Sequence, residues 1–184
     1  MPAVTPTGQK TRDALLDAGE RVAEAHGLAG LSVNRVVAGA SVAKGTFYVH
    51  FADREAFVDA LHERFHSAVR ARVNEVIADL PPGPELLERA TRAYLDAGLA
   101  NRAVKALVTE ARADPRLSAA MAERSAAFGA AAEPSLKALG YKDTKVAARL
   151  YQAMVSEAAL MELEAGKRLP AVRRALANWL ERPA

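Results

Sequence analysis

The stretch SVNRVVAGASVAKGTFYVHFADREAF, residues 32–57, decides the fold. Ser32 is an N-cap residue type, and Val33, Val36, Val37 and Ala40 follow it at helical spacing. The pattern breaks at Gly39–Ser41, and a second short helix is expected from Lys44 to about Val49. Two short helices joined by about four residues form a helix-turn-helix pattern.

On the N-terminal side, Thr11 is the expected cap of a preceding helix, with Asp13 suiting its positive end. Leu15, Ala18, Val22 and Ala25 give that helix one apolar stripe, and Gly27 stops it, with Leu28 placed for the contact that follows a glycine stop. On the C-terminal side, Asp53 caps a long helix expected to reach about Leu80, with the stripe Phe57, Leu61, Phe65, Val69, Val73, Val76 and Leu80. PPGP at 81–84 breaks it, and 85–113 reads as one or two helices. Pro115 starts another, which Pro134 kinks or ends. An amphipathic helix follows over 143–164, and a last one over 171–181. No alternating strand pattern of useful length occurs, so the expected class is all-α. The expected division is a disordered lead over 1–9, a three-helix helix-turn-helix domain over 10–52, and a larger helical domain over 53–184.

Composition narrows the function. The chain has no cysteine, which removes disulfide frameworks, thiolate zinc sites and cysteine nucleophiles. The polar start MPAVTPTGQKTRD lacks the apolar core of a secretory leader, and no apolar run of roughly 18 residues suggests a membrane span. A cytoplasmic location is expected. Net charge is +3, which permits nucleic-acid binding without demanding it. Residues 1–66 hold seven basic side chains (Lys10, Arg12, Arg21, Arg35, Lys44, Arg54, Arg64) against eight acidic ones (Asp13, Asp17, Glu20, Glu24, Asp53, Glu55, Asp59, Glu63). Local arrangement, not bulk charge, must therefore attract any duplex.

His62-Glu63-Arg64-Phe65-His66 offers a different function, because it fits the zinc-peptidase pattern H-E-x-x-H. Two histidines one turn apart can hold a metal, with the glutamate as general base. A catalytic zinc also needs a third protein ligand. No histidine follows His66, so a glutamate such as Glu75, Glu85 or Glu88 would have to serve. A zinc-dependent hydrolase is the alternative reading. The simpler one is two partly exposed histidines on a charged helix face, with no metal or other cofactor.

The run Ala40-Ser41-Val42-Ala43-Lys44-Gly45-Thr46-Phe47-Tyr48-Val49-His50-Phe51, followed by Arg54-Glu55, resembles the DNA-binding domain of TetR-family transcriptional regulators. The resemblance is close over residues 11–66 and architectural beyond. It implies a recognition helix starting at Lys44. Its N-terminal residues would meet base edges and phosphates, with Gly45 admitting a close backbone approach. Thr46, Tyr48 and His50 would face the duplex while Phe47 and Phe51 turn inward. Ser32, Arg35 and Arg54 would supply backbone contacts. Two positions depart from the family pattern: Ser41 replaces the usual turn glycine, and Ala43 replaces the usual capping serine or threonine. Gly39, two residues before Ser41, could let the turn shift.

The resemblance further implies a homodimer joined through the last two helices, with Leu150, Met154, Ala158 and Met161 on one and Val172, Leu176 and Trp179 on the other. It also implies a small-molecule inducer held among the middle helices, with Tyr94, Arg112, Met121, Phe128 and Tyr151 as candidate lining. The expected function is a ligand-responsive, homodimeric repressor on a palindromic double-stranded DNA operator.

Overall fold

The computed structural model describes residues 6–100 and 115–181, and every element among them is helical. They are α1 (Pro6–His26), α2 (Val33–Ala40), α3 (Lys44–His50), α4 (Arg54–Ile77), α5 (Pro84–Ala100), α6 (Pro115–Ala138), α7 (Thr144–Ala165) and α8 (Pro170–Glu181). The all-α class holds. The described residues fall into two compact units, the first running to His66 and the second taking up the chain from Ser67. The first therefore extends past the division expected at residue 52, because the first half of α4 buries Phe57, Val58 and Leu61 in it.

In the first unit, α1 begins at Pro6 rather than at Thr11. Thr11 lies inside the helix, and its hydroxyl donates to the Thr7 carbonyl at 3.1 Å. The lead expected over 1–9 is thus helical from Pro6. Leu15, Leu16, Ala18 and Ala23 are buried on α1. Gly27, at φ 66°, ends it, and Leu28 is buried as expected. Gly19 admits the Phe57 ring, since a Cβ there would stand 2.5 Å from Cζ.

Gly39 does not belong to the turn. It is a helical residue of α2 that brings α2 close to α1, where an added Cβ would meet the Ala18 methyl at 3.3 Å. The turn residue is Ser41, in the left-handed region at φ 55°. Its N–H and that of Val42 close the end of α2 on the Ala38 and Val37 carbonyls, at 3.2 and 3.0 Å. Ala43 is the N-cap of α3 and supplies no side-chain hydrogen bond. Asp53 caps α4 through the Ala56 N–H at 2.7 Å.

In the second unit, α4 ends at Ile77, one turn before Leu80. Pro134 does not end α6, which continues to Ala138. The core joins Leu87 and Leu95 of α5, Ala132 and Leu136 of α6, Ala147, Ala148, Tyr151 and Val155 of α7, and Leu176 and Leu180 of α8. Small residues set the approach of α6 to α7: Gly129 lies where a Cβ would touch the Ala148 carbonyl at 3.4 Å. Gly166 ends α7 at φ 64°, and Asp143 caps its start by accepting from the Val146 N–H.

The two departures at the turn can each be reversed by a single substitution. Ser41→Gly relieves a left-handed residue and should stabilise the first unit by about 0.5–1 kcal/mol. Ala43→Ser restores a cap and should add about 0.5–2 kcal/mol. Both are read as a raised thermal midpoint; unchanged midpoints in both variants would overturn this assignment of turn and cap.

Candidate nucleic-acid interface

Helix α3 has one inward and one outward side. Phe47 is buried and forms a cluster with Phe51 and Phe57, with ring centroids 5.4 and 5.2 Å from Phe47 and 4.8 Å between the other two. These rings fix the rotation of α3 about its axis. The opposite side then holds Lys44, Gly45, Tyr48 and Val49, all exposed, with Thr46 and His50 half-buried at its edges. The structure thus brings together the expected Lys44, Gly45, Thr46, Tyr48 and His50. It adds Val49, which the sequence reading passed over, although its place one turn after Gly45 and two residues from the inward Phe47 pointed outward.

Arginines tie α3 to its neighbours. Arg54 donates from Nε to the Leu31 carbonyl at 2.8 Å and from Nη2 to Leu28 at 2.7 Å. It closes the α1–α2 connection onto the start of α4. Arg35 donates to the Gly30 carbonyl at 2.8 Å, within the same connection. Ser32 caps α2, its hydroxyl accepting from the Arg35 N–H at 3.3 Å. Two further arginines were not legible as site residues. Arg12 stacks its guanidinium on the Phe51 ring, 4.3 Å from the centroid, and donates to the His50 carbonyl at the end of α3. Arg21 donates to the Gly39 carbonyl at the end of α2. Both are α1 residues whose partners lie far along the chain, which spacing alone does not reveal.

The HERFH segment lies on α4, but His62 is buried rather than partly exposed. The His62 and His66 rings are stacked, 6.3 Å apart and 15° from parallel. Imidazole lone pairs lie in the ring plane, so near-parallel stacked rings do not converge on one ion at the roughly 2.0–2.1 Å that zinc requires. Among the described residues no group of three His, Asp or Glu side chains is placed to hold a metal.

In the second unit, Tyr94, Phe128 and Tyr151 come together: Phe128 lies 5.5 Å from Tyr94 and 6.4 Å from Tyr151, ring to ring. They belong to or pack on the apolar core. Tyr151 is fully buried, shares a hydrogen bond with Thr91 and donates to the Leu87 carbonyl. Burial pushes its phenol up to about 12, against the opposing Thr91 bond. Arg112 and the side chain of Met121 lie outside the described residues. A cavity of about 460 Å³ opens elsewhere, between α5 and α8, lined by Thr91, Leu95, Asp96, Arg168, Arg173 and Leu176 among others.

The residues expected at a dimer seam divide in three. Ala158 of α7 and Leu176 of α8 are buried in the unit's own core. Leu150 is 56% exposed and Met161 41%, and Val146 joins them at 54% on the outer face of α7. Met154, Val172 and Trp179 are half-buried against the core.

Beside the cavity, Glu162 is buried and accepts from the Arg173 guanidinium at 2.8 and 2.6 Å and from the Leu169 N–H at 2.8 Å. Burial pushes its carboxyl up, but the Arg173 and Leu169 hydrogen bonds and the Arg173 charge outweigh this and hold it below its ordinary value. Arg173 also meets Asp96 at 2.8 Å, and Arg168 grips the same carboxylate at 3.1 and 3.0 Å.

The amino-terminal geometry is that of a helix-turn-helix domain with a solvent-facing second helix. Residues 15–61 match the sequence profile of bacterial regulatory proteins of the tetR family. The HTH-type transcriptional repressor NemR of Escherichia coli strain K12 is 35% identical over 71 residues. That match spans 39% of this chain and 36% of the length of the relative. Among solved structures, a transcriptional regulator from Rhodococcus sp. Rha1 superposes with a TM-score of 0.78 at 23% identity, over 92% of this chain and 94% of that one. The reduced form of Escherichia coli NemR gives 0.72 at 21% identity, over 95% and 97%. At these identities the structural likeness establishes a shared fold.

Arg54→Ala should lower the stability of the first unit by about 1–3 kcal/mol, because two carbonyls lose a charged donor; an unchanged urea midpoint would contradict the clamp. For Glu162, the folded carboxyl sits below its unfolded value of about 4.5. Its contribution is therefore complete above that value and is lost as pH falls through the lower, folded one. Glu162→Gln should lower stability at neutral pH and flatten the decline measured on acidification below about pH 5. An identical pH profile in the variant would show that the pair does not couple to folding.

Proposed function

We propose that this chain is a homodimeric, ligand-responsive transcriptional repressor that binds a palindromic duplex operator and leaves it when a small-molecule inducer binds. The observation that carries the reading is α3, anchored by three phenylalanines and presenting Lys44, Gly45, Thr46, Tyr48 and His50 outward. The family match over residues 15–61 supports it, as does the likeness to NemR, a transcriptional repressor. The chain acts by binding, not by catalysis. No helix among the described residues is long and apolar enough to cross a membrane, and a cytoplasmic site of action follows from a DNA partner.

The homodimer reading rests on the outer face of α7, where Val146, Leu150 and Met161 expose apolar side chains. A two-fold pairing of this face would cover them and give the operator its palindromic form. α4 belongs to both compact units and is the covalent route by which an inducer would bias the spacing of the two recognition helices. Without cysteine in these 184 residues, that bias does not come from thiol oxidation. Tyr94 and Phe128, half-buried beside the core, are the described side chains best placed to sense an inducer of apolar or aromatic character.

Selection from a random duplex pool at stated salt should enrich a palindrome, since phosphate contacts make the affinity salt-dependent. No enrichment across several salt concentrations would overturn the reading. Leu150→Glu should convert the species seen by sedimentation from dimer to monomer and weaken operator binding by at least about tenfold. A wild-type protein that sediments as a monomer on its operator would remove the dimer.

A further inference from the structure

Two features of α3 have no explanation inside the chain. Val49 is the most exposed large apolar side chain described, at 80%. A solvent-facing valine also has a low helix propensity, so nothing local favours it there. Gly45 stands one turn earlier on the same side. Its φ is not in the left-handed region, and a Cβ built on it would meet nothing within 4 Å. Glycine weakens a helix relative to alanine, and here neither turn geometry nor internal packing requires it. Together they form a gap beside an apolar tip, flanked by the exposed Tyr48.

A duplex offers little that such a pair can recognise. Phosphates and most base-edge atoms need hydrogen-bond donors or acceptors, which Val49 lacks. The apolar group on the major-groove edge is the 5-methyl of thymine. We propose that Val49 determines operator specificity by packing on a thymine methyl, with Gly45 leaving room for the base edge to enter. This rests on the operator-binding reading above and names the feature of the operator that α3 reads. The polar neighbours Lys44, Thr46 and His50 position the helix on the backbone, and Val49 makes the distinction between thymine and the other bases.

The test uses the full-length protein and the operator it selects. Each thymine is replaced in turn by deoxyuridine, which removes only the methyl. Affinity is measured by fluorescence anisotropy at fixed salt. For the wild type, one thymine per half-site should weaken binding about fourfold on losing its methyl, the effect of one buried methyl group. Val49→Ala should bind the unmodified operator about fourfold more weakly and should no longer distinguish thymine from deoxyuridine at that position. Its melting temperature should be no lower than that of the wild type, because the side chain is 80% exposed and alanine is the better helix former. Gly45→Ala should melt slightly higher, by about 1–3 °C, yet bind the operator more weakly. A selected operator indifferent to every deoxyuridine replacement would overturn this inference and leave the regulator reading intact. So would a Val49→Ala protein that remains as sensitive as the wild type. Failure of the wild type to select any sequence would overturn both.

Discussion

The contact among Phe47, Phe51 and Phe57 is the constraint on which the amino-terminal unit depends. Seven residues of helix have too few internal hydrogen bonds to hold their own shape in water. α3 exists because its inward side is fastened to α4 through Phe57, to its own C-terminal cap through Phe51, and to α1 through Arg12 on that same ring. Fastening that side also determines which side is left outward. The direction in which Tyr48 and Val49 point is therefore a consequence of core packing.

The second unit is organised by close helix approach and by one buried charge. Gly129, Ala132, Ala147 and Ala148 let α6 and α7 come together, which is why a chain with 51% hydrophobic residues needs so few aromatics. Glu162 breaks the apolar pattern at the end of α7. Its carboxylate is held by Arg173 of α8 and by the Leu169 N–H of the connecting turn, and the Arg173–Asp96 contact extends the network to α5. Such a network fixes the angle at which α7 meets α8 more than it adds stability, because desolvation offsets much of the Coulomb attraction.

Much of this was legible in the sequence where the signal was local. The caps Ser32 and Asp53, the glycine stop at Gly27, the helix start at Pro115 and the inward Phe47 and Phe51 are set within a few residues of themselves. What spacing could not convey was contact at long range. Arg54 sits at a helix start, and nothing in its spacing shows that it closes on Leu28 and Leu31. His62 sits in a metal motif and on the shoulder of a stripe, yet it is buried and stacked on His66. The stripe on α7 mixed residues of two faces, because Leu150 and Tyr151 are adjacent in sequence but point to solvent and core. Gly39 looked like turn flexibility and is instead a packing allowance for Ala18.

The clamps of Arg12 on His50 and Arg54 on Leu28 and Leu31 carry one more consequence. Arg12 joins α1 to the end of α3, and Arg54 joins the start of α4 to the α1–α2 connection, across sequence separations of 38, 26 and 23 residues. The most recognisable segment of the chain, residues 32–57, contains neither α1 nor the Leu61 turn of α4. As an isolated peptide it would lack the walls against which its own phenylalanines pack. A fragment that keeps these contacts begins in α1 and ends no earlier than the buried half of α4, so the shape of α3 depends on residues well outside the motif.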